Sequence, residues 1–465
     1  MAVSAGERLR RAFGRPGYPR VELPGDPSYE TGRLPWQRAV EHRPAAVVHA
    51  TGTAEVAAVV RAAADTGLAV TAMTTGHGSV AGVDGAVLLN LSGFRNVDVD
   101  PKLGHVSVGA GTLWSDVLHA TKGTSLVPLC GTVATIGVTG YSLQGGLGWL
   151  ARSDGFAAAG IVEAEMVAAT GKIVVASPEE HPELWWALRG GGGSFGVVTN
   201  LKLRLATAGA VLGGYAYFPV EKAERLLRSF ADWSETQPEW SNAAVMLLQV
   251  PDRPQLPALL RGRRVVAVRA FAAAGEAIAR QVMNELIAPG GPPLAVDYTY
   301  GSFNDMITEQ GPPPPPVASH ERIDLFDRLD DAVIEAMLAT AGPGSDDVVA
   351  CVELRMWGGA LARDNPARAG AHPSTRYSII TGARYEPQWE AGRVDEAVGA
   401  FVASLKPYSN GETLLNLCPD PGATAGAFTS AAYDRLRSVK AAWDPDDIFQ
   451  PGHRIPPATS IGATF

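Results

Sequence analysis

A histidine between two glycines is the first feature of this chain that could do chemistry. His77 lies between Gly76 and Gly78 in the segment TTGHGS, residues 74–79, directly after a predicted strand at 69–73. A neutral imidazole nitrogen is a nucleophile near pH 7, and glycines on either side permit close approach of a ligand to the backbone. The segment predicts either a reactive residue in a binding loop or an ordinary structural histidine.

Two longer glycine clusters follow. The segment GTVATIGVTGYSLQGGLGWLARSDG, residues 131–155, has seven glycines in 25 positions, and LRGGGGSFGVVTNLKL covers residues 188–203. Because each glycine costs conformational entropy that a packed alanine would not, the clusters favour close backbone contact with a cofactor. The alternative is that they are turns of a loop-rich domain. None of them cleanly matches GxGxxG in a βαβ unit, and GxxxxGK[ST] is absent.

A strand in the middle of the chain combines an acid, a cation and an aromatic on one face. Residues 349–357 alternate, which gives an apolar face of Val352, Leu354 and Met356. We expect that face to pack on helices and the other to line a ligand cavity. The other face contains Cys351, Glu353, Arg355 and Trp357.

Two more strands show a similar alternation, and we expect one face of each to line the same cavity. These faces contain Tyr377, Ile379 and Thr381 on one strand and Val245, Leu247 and Gln249 on the other.

The cavity predicts a general base and substrate contacts. A base must lie within hydrogen-bond reach of the proton that it removes, and the candidates are Glu353, Tyr377 and Tyr141. The predicted substrate contacts are Arg355, Trp357, Ile379 and Gln249. The alternative for Glu353 and Arg355 is a solvated or structural ion pair.

Composition restricts the class of protein. The chain has 465 residues, a formal charge of −9, 46% hydrophobic residues and 19% charged residues, as in an ordinary globular enzyme. The negative charge argues against a nucleic-acid or anionic-membrane surface. The N-terminal segment lacks the apolar region of a secretory signal, and no apolar stretch approaches the length of a membrane span. We therefore expect a cytoplasmic protein.

Cysteine usage argues against a disulfide scaffold and against a metal site. Cys130, Cys351 and Cys418 are far apart and form neither a CxxC pair nor a Cys/His cluster with metal-ligand spacing.

Four motifs in one order closely resemble the berberine bridge enzyme-like flavoproteins of the vanillyl-alcohol oxidase superfamily, which have a PCMH-type FAD domain. The motifs are TGHGS, the second glycine cluster, ELWWALRGGGGSFGVVT and YDRLRSVKAAWDPDDIFQPGHRIPP. The resemblance is strong over about the first 207 and the last 50 residues. It implies that His77 is bonded to the 8α-methyl carbon of FAD and that this bond raises the oxidising power of the flavin.

The resemblance also implies the other FAD contacts. In the first loop they are Thr74, Thr75, Gly76, His77, Gly78 and Ser79. In the second cluster they are Gly131, Thr132, Gly137, Gly140, Tyr141, Gly145, Gly146 and Gly148. Further along the chain they are Gly160, Ile161, Val198, Asn416, Phe449 and His453. An Asp-Asn pair of the family is Ala159 and Gly160 here, so this contact rests on backbone atoms.

The chain departs from the family at both attachment motifs. Val133 stands where many members have a second flavin-linking cysteine, and Cys130 lies three residues too early. We therefore predict a single covalent bond, through His77, with no cysteinyl link. Met73 replaces an arginine and Thr75 replaces a glycine of the first motif, so pyrophosphate binding should rest on backbone N–H groups.

The resemblance predicts an α+β fold with an FAD-binding domain at 1–207 and a substrate domain at 208–413, an antiparallel sheet backed by helices. Residues 414–465, with a helix at 433–443, should return to the FAD domain; the alternative is a simple cap on the fold. The proline run at 312–316 predicts a surface loop or linker, or alternatively a ligand for a proline-recognition module.

The expected function is oxidation of a small molecule such as a secondary metabolite or a sugar. The FAD would take hydride from a carbon next to an alcohol, amine or phenol, with O2 as acceptor, and the step can be coupled to cyclisation. The alternatives are a dehydrogenase with another electron acceptor and a non-catalytic protein that has lost the cofactor. We expect a monomer or homodimer without nucleic-acid or membrane partners.

Overall fold

A computed structural model describes residues 4–13, 19–254, 256–308, 315–363, 368–370 and 372–458 of this chain. Within these residues the strands are β1 (Arg20–Glu22), β2 (Ala46–His49), β3 (Val70–Met73), β4 (Val87–Asn90), β5 (Val97–Asp100), β6 (His105–Gly109), β7 (Leu126–Val127), β8 (Ile161–Val167), β9 (Ile173–Ala176), β10 (Val197–Arg204), β11 (Ala206–Thr207), β12 (Ala210–Pro219), β13 (Ser241–Gln249), β14 (Arg264–Ala272), β15 (Ala295–Val296), β16 (Thr299–Ser302), β17 (Ser319–Phe326), β18 (Val349–Met356) and β19 (Tyr377–Arg384).

The α-helices of the described residues are α1 (Ala5–Phe13), α2 (Tyr29–Gly32), α3 (Thr53–Thr66), α4 (Trp114–Ala120), α5 (Val138–Leu143), α6 (Ala151–Asp154), α7 (Pro182–Leu188), α8 (Ala223–Ser234), α9 (Glu276–Ile287), α10 (Phe303–Thr308), α11 (Asp331–Ala341), α12 (Arg393–Leu405) and α13 (Ser430–Trp443). Part of the predicted proline run, residues 312–314, lies outside the described residues.

A strand–helix–strand unit forms the first sheet, whose order is β1-β2-β4-β3. Strands β2 and β3 both pair in parallel with β4, and α3 connects β2 to β3. Helix α3 buries Val56, Val59, Val60 and Ala63, which lie on one helical face. It ends at Gly67, whose φ of 70° is a left-handed conformation that glycine adopts without strain.

The second sheet is antiparallel and follows the order β5-β6-β10-β8-β9. Its central strand, β10, pairs with β6 on one side and β8 on the other. The third glycine cluster leads directly into β10. This sheet and the first one share a buried contact, because Val167 of β8 and Val197 of β10 belong to the apolar cluster that contains α3.

The third sheet is larger and has the main strand order β15-β12-β14-β13-β18-β19-β17. All its neighbouring strands pair in antiparallel fashion. One face packs on α8, α9, α11 and α12, which contribute Phe230, Met283, Met337 and Phe401 to the core. Val352, Leu354 and Met356 of β18 lie on this face, as their alternation predicted.

The register between β18 and β19 corrects the faces predicted for β19. Glu353 pairs with Ile380, whereas Leu354 pairs with Ile379 and Met356 pairs with Tyr377. Because directly paired residues share a face of the sheet, Tyr377 and Ile379 lie on the helix side, opposite to the prediction. Val245 and Leu247 of β13 lie on the helix side as well, in the same buried cluster.

The C-terminal segment packs against the first two sheets. Val70 of β3 donates its N–H to the Ile448 carbonyl at 2.8 Å, and Gln450 donates its N–H to the Val70 carbonyl at 3.1 Å. Leu436 and Val439 of α13 enter the core around β10, together with Phe195. The end of the chain thus adds a short parallel segment beside β3.

A buried lysine holds this segment in place. Lys440 is fully buried and donates to the Ser194 carbonyl at 2.8 Å, the Phe449 carbonyl at 3.0 Å and Asp444 Oδ2 at 2.5 Å. Burial lowers the pKa of Lys440, and Asp444 opposes that effect. The ammonium therefore links the third glycine cluster to α13 and to the strand-like segment after it.

We expect Lys440→Met to destabilise the protein by about 3–5 kcal/mol, because the buried carboxylate of Asp444 loses its cation. Chemical unfolding followed by fluorescence measures the change in midpoint. Lys222→Met removes an exposed lysine and is the matched control. An unfolding midpoint for Lys440→Met equal to that of the control would contradict the anchoring role.

In the part of the chain that the structure covers, every helix is too short or too polar to cross a lipid bilayer.

Candidate functional site

The loop that contains His77 begins where β3 ends. Thr74 donates its hydroxyl to the Ala110 carbonyl at 2.8 Å, which fixes the start of the loop. Gly76 has a φ of 70°, and a Cβ atom there would lie 2.5 Å from the Cβ of Pro35. The loop therefore needs glycine at this position for two reasons, the left-handed backbone and the close approach of a neighbouring segment.

His77 is half-buried and lies between an aromatic ring and a hydroxyl group. Its ring stacks on Trp36, with centroids 4.4 Å apart and planes inclined by 15°. Its Nδ1 atom lies 2.8 Å from the Thr75 hydroxyl, whereas Nε2 is buried and has no hydrogen-bond partner among the described residues. Burial lowers the pKa of His77 to about 4. The imidazole is therefore neutral at pH 7.

One large cavity connects this loop with the third sheet. Its volume is about 1930 Å³, and its wall includes the whole His77 loop, residues 74–79. The opposite wall is the face of the third sheet that does not pack on helices, with Glu321, Glu353 and Arg355 among its residues. The cavity is polar on the side of the sheet and rich in glycine on the side of the loop.

Most of the predicted cofactor contacts line this cavity. Beyond the His77 loop they are Gly131, Thr132, Gly137, Gly140, Tyr141, Val198, Asn416 and Phe449. Asn416 also holds the second glycine cluster, because its Oδ1 accepts the Gly146 N–H at 2.7 Å and its Nδ2 donates to the Tyr141 carbonyl at 3.0 Å.

Six predicted cofactor contacts do not reach the cavity. They are Gly145, Gly146, Gly148, Gly160, Ile161 and His453, and none of them belongs to its wall. The three glycines of the second cluster serve packing instead: a Cβ at Gly146 would lie 2.5 Å from the Tyr141 ring, and one at Gly148 would lie 2.3 Å from the Cys130 carbonyl oxygen. At Gly145 the left-handed backbone has a φ of 116°.

The other three contacts have structural surroundings. His453 is buried, with Nδ1 3.0 Å from the Thr424 hydroxyl and Nε2 3.0 Å from the Cys418 carbonyl oxygen. Ile161 begins β8 in the core, and Gly160 lies beside the backbone of Arg204. These residues lie outside the cavity wall in this structure, and their contact with the cofactor stays a prediction.

The second attachment motif presents no thiol to the cavity. Val133 lies in the cavity wall at the position of the family's cysteine. Cys130 is buried in the adjoining core, and burial raises the pKa of its thiol to about 12. Cys351 does line the cavity, on the opposite wall.

An ion pair dominates the middle of the sheet wall. Arg355 donates from Nε to Glu353 Oε1 at 2.7 Å, and its Nη2 lies 2.6 Å from the same oxygen. Both side chains are almost fully buried, and the guanidinium also lies over the Trp149 ring at 4.4 Å. The ion pair that was the alternative interpretation of Glu353 and Arg355 thus exists, and both residues border the cavity. Gln249, at the end of β13, lines the cavity as expected.

Three other predicted active-site residues lie elsewhere. The Tyr377 hydroxyl is 2.9 Å from the Ser234 hydroxyl of α8, on the helix side of the sheet. Ile379 is buried among the helix-facing residues. Trp357 lies in a small core cluster and donates its indole N–H to the Ser378 hydroxyl at 2.9 Å. Their predicted roles in catalysis and substrate binding are wrong for this geometry.

Tyr141 remains at the cavity and has an unusual environment. Its hydroxyl is buried without a hydrogen-bond partner among the described residues, and its ring packs edge-on against Trp114. Burial raises the pKa of Tyr141 well above its ordinary value. The phenol therefore keeps its proton at neutral pH, which suits a hydrogen-bond donor better than a base.

Glu321 on β17 is the acidic residue that the sequence reasoning missed. It lines the cavity and remains accessible to solvent through it. The Ser319 hydroxyl donates to its Oε1 at 3.2 Å. The surrounding protein raises the pKa of Glu321, and Ser319 and Arg384 partly oppose this. Glu321 can be recognised as a cavity residue only from the pairing of β17 with β19. The sequence of β17 by itself does not indicate that pairing.

The donor groups at the cavity fit FAD. His77, Thr139 and Tyr141 belong to the cavity wall, and the Nε2 atom of His77 and the two hydroxyls are buried polar atoms without a hydrogen-bond partner in the described chain. Glycines on the loop side leave backbone atoms accessible to a bound group. The described residues contain no group of three or more His, Cys, Asp or Glu side chains arranged to hold a metal ion.

Comparison with known proteins confirms the resemblance found in the sequence. Residues 44–177 match a family model described as "FAD binding domain", and residues 418–456 match one described as "Berberine and berberine like". Two separate segments of the chain are therefore similar to an FAD-binding domain and to the C-terminal segment of berberine-like proteins.

Two curated relatives are similar over part of their length. FAD-dependent monooxygenase FUP4 of Fusarium proliferatum (strain ET1) is 34% identical over 215 residues, 45% of this chain and 42% of the relative. (R)-6-hydroxynicotine oxidase of Paenarthrobacter nicotinovorans is 28% identical over 230 residues, 49% of this chain and 47% of the relative. The match thus spans less than half the length of either relative.

Solved structures share the fold over nearly the whole chain. Wild-type Physcomitrella patens BBE-like 1 has a TM-score of 0.85 and 21% identity, over 97% of this chain and 99% of that one. The 6-hydroxy-D-nicotine oxidase of Arthrobacter nicotinovorans has a TM-score of 0.82 and 22% identity, over 95% and 98%. The predicted fold class, a mixed helix and sheet fold of this FAD-binding type, is confirmed.

Proposed function

We propose that this protein is an FAD-linked oxidase of a small organic molecule, with FAD attached covalently through His77 and no cysteinyl link. The observation that carries the proposal is the single cavity of about 1930 Å³ that joins the His77 loop to the polar face of the third sheet. A cofactor on the loop side and a substrate on the sheet side would meet inside it, out of bulk water.

The names of similar proteins support the reaction class. They include a nicotine oxidase, a xylooligosaccharide oxidase from Thermothelomyces thermophilus and FAD-dependent monooxygenases. Two of these names state a substrate, an amine in one case and a sugar in the other. They therefore support oxidation of an alcohol or amine carbon and leave the substrate itself to experiment.

FAD supplies the redox chemistry: it accepts hydride from a C–H bond and passes the electrons to an acceptor, O2 in an oxidase. The chain binds the cofactor between the glycine clusters and holds its ring through His77. Thr139 and Tyr141 offer hydroxyl groups that are otherwise unpaired. Val198 and Phe449 add apolar wall on the cofactor side.

On the sheet side, Arg355 and Glu353 orient the substrate. The guanidinium is already fixed by two contacts to one carboxylate oxygen, so it offers its remaining N–H groups in a preorganised direction. Gln249 provides a second polar contact at the cavity.

Glu321 is the proton acceptor in this proposal. Within the part of the chain that the structure describes, the Glu321 side chain accepts one hydrogen bond, from Ser319, so the carboxylate remains available. A chain of contacts links it to the attachment loop: Ser319 bonds to Gln37, and Gln37 follows Trp36, which stacks on His77. Glu321 thus lies on the strand whose first residue, Ser319, is linked to the segment that covers His77. A raised pKa suits a general base.

The purified protein tests the proposal directly. We expect a yellow protein whose flavin stays with the polypeptide after acid precipitation. A panel of amines, alcohols and sugars should contain a compound that bleaches the flavin without oxygen, with rapid recovery in air and release of H2O2. Slow recovery would favour a dehydrogenase that uses another acceptor. A colourless chain that binds no added FAD would contradict the proposal.

The predicted domain limits near 207 and 413, the cytoplasmic location, a role in secondary metabolism and a monomeric or dimeric state also stay proposals. Limited proteolysis tests the domain limits, and cell fractionation tests the location. Size-exclusion chromatography with light scattering tests the oligomeric state.

A further inference from the structure

The attachment histidine is held by two residues that the sequence motif does not explain. Thr75 occupies a position where the family motif has glycine, and its hydroxyl lies 2.8 Å from His77 Nδ1. Trp36 comes from a separate segment and covers one face of the imidazole at 4.4 Å. The His77 ring is thus fixed at one edge by a polar contact and over one face by a stacked indole.

The segment that supplies Trp36 is bound on both sides. We call residues 36–38 the strap. The Trp36 N–H donates to the Thr75 carbonyl at 2.9 Å, and the Gln37 N–H donates to the Gly76 carbonyl at 3.2 Å. The backbone of the strap therefore follows the loop residues that precede His77, which places the Trp36 side chain beside the imidazole.

The other side of the strap reaches the substrate sheet. Gln37 donates from Nε2 to the Ser319 hydroxyl at 3.1 Å and accepts the Ser319 N–H at 3.0 Å. Arg38 donates its N–H to the Val317 carbonyl at 2.9 Å. The strap thus connects the attachment loop to the start of β17, which also carries Glu321. The strap is thus hydrogen-bonded both to the His77 loop and to the residues at the start of β17, in addition to the packing of the Trp36 ring.

We propose that Trp36 and Thr75 are positioning residues for covalent attachment, an inference that rests on the proposed function of His77. The Thr75 hydroxyl accepts Nδ1–H and so leaves the lone pair on Nε2, the ring nitrogen without a partner. The stacked indole fixes the plane of the imidazole ring, and with it the direction in which Nε2 would react with a bound flavin. Orientation of this kind lowers a barrier by restricting the reacting atoms before reaction.

The attachment step balances with oxygen as the oxidant. A C–H bond of the 8α-methyl group breaks and an N–C bond to Nε2 forms. The methyl carbon and the imidazole each lose one proton, and the isoalloxazine takes up the two electrons. Molecular oxygen then removes those electrons and two protons to give H2O2. Thr75 orients Nδ1–H until the N–C bond has formed, and the Nδ1 proton then passes to water.

The test compares total flavin with acid-stable flavin in full-length purified variants. In Trp36→Ala and Thr75→Val we expect total flavin near the wild-type level and an acid-stable fraction at least fivefold lower. Trp36→Phe keeps an aromatic stack and Thr75→Ser keeps the hydroxyl, so both should retain most covalent flavin. Trp233→Ala, on α8 and outside the cavity wall, is the control for loss of a large aromatic.

A purely structural role would lower total and acid-stable flavin together, and an unchanged acid-stable fraction in both Trp36→Ala and Thr75→Val would overturn the inference. If Trp36→Ala fails to fold, Thr75→Val decides, because it is nearly isosteric. Flavin that acid releases completely from the wild-type protein would instead contradict the proposed function of His77.

Discussion

Replacing His77 with alanine should abolish covalent flavin. The described loop offers no other nucleophile in its position, and Cys130 lies in the core with a thiol pKa raised to about 12. After acid precipitation the variant should show no flavin fluorescence in a denaturing gel, and its intact mass should be that of the polypeptide alone. Added FAD should still bind, because the glycine-rich wall remains.

Turnover of His77→Ala with bound FAD should fall roughly tenfold, or by about 1.4 kcal/mol in the barrier. The tether positions the flavin ring, and the resemblance to the berberine bridge enzyme-like proteins implies that it also raises the oxidising power. His105→Ala is the matched control, since this histidine lies on β6 outside the cavity wall. Covalent flavin retained in His77→Ala would direct the assignment to another residue.

Replacing Glu321 with glutamine should have the largest effect on chemistry. The amide keeps the size and hydrogen bonding of the side chain but cannot accept the substrate proton. We expect kcat to fall by about 10²–10⁴, the usual contribution of a general base, with flavin content unchanged. Rapid-mixing measurement of flavin reduction without oxygen isolates this step.

The pH profile gives a second readout for Glu321. A base acts in its deprotonated form, so kcat/KM should rise with pH through the pKa of Glu321. Desolvation by the surrounding protein raises this pKa above the ordinary glutamate value, although the side chain opens onto the cavity. Glu321→Gln should lack this acidic limb. The parallel variant Glu353→Gln should raise KM more than it lowers kcat. The reverse pattern, loss of kcat in Glu353→Gln alone, would identify Glu353 as the base.

The cofactor side of the site was largely readable from the sequence because its determinants are local. A strand that ends in TTGHGS, and a helix that ends at Gly67, each follow from a few adjacent residues. The second glycine cluster was harder to interpret. Gly137 and Gly140 line the cavity, but Gly146 and Gly148 are glycine because Tyr141 and the Cys130 carbonyl leave no room for a Cβ atom.

Which residues of the third sheet face the cavity depends on the register between its strands. The residue types of the strands did not determine that register in every case. On β18 the two faces differ in polarity, so Glu353 and Arg355 were placed correctly. On β19 both faces contain apolar residues, and the pairing of Ile380 with Glu353 decides which of them meets the cavity. A shift of one residue exchanges the faces of a strand, and this is why Tyr377 and Ile379 were misplaced.

The strap was not predictable either. Trp36 lies in a segment without helical or strand periodicity, 41 positions before His77 in the sequence. Its importance follows only from tertiary contacts to Thr75, Gly76 and Ser319. Residues of this kind, which act on a motif from a distant segment, leave no signal in the motif itself.

Peptide mapping of the wild-type protein tests the central claim most directly. Trypsin should release residues 62–95, whose only histidine is His77 and which contain no cysteine, separately from residues 123–152, which contain Cys130. We predict that the yellow, fluorescent peptide is 62–95 with one flavin attached, and that 123–152 is unmodified. Flavin on 123–152, or an unmodified 62–95 peptide from protein saturated with FAD, would contradict attachment through His77.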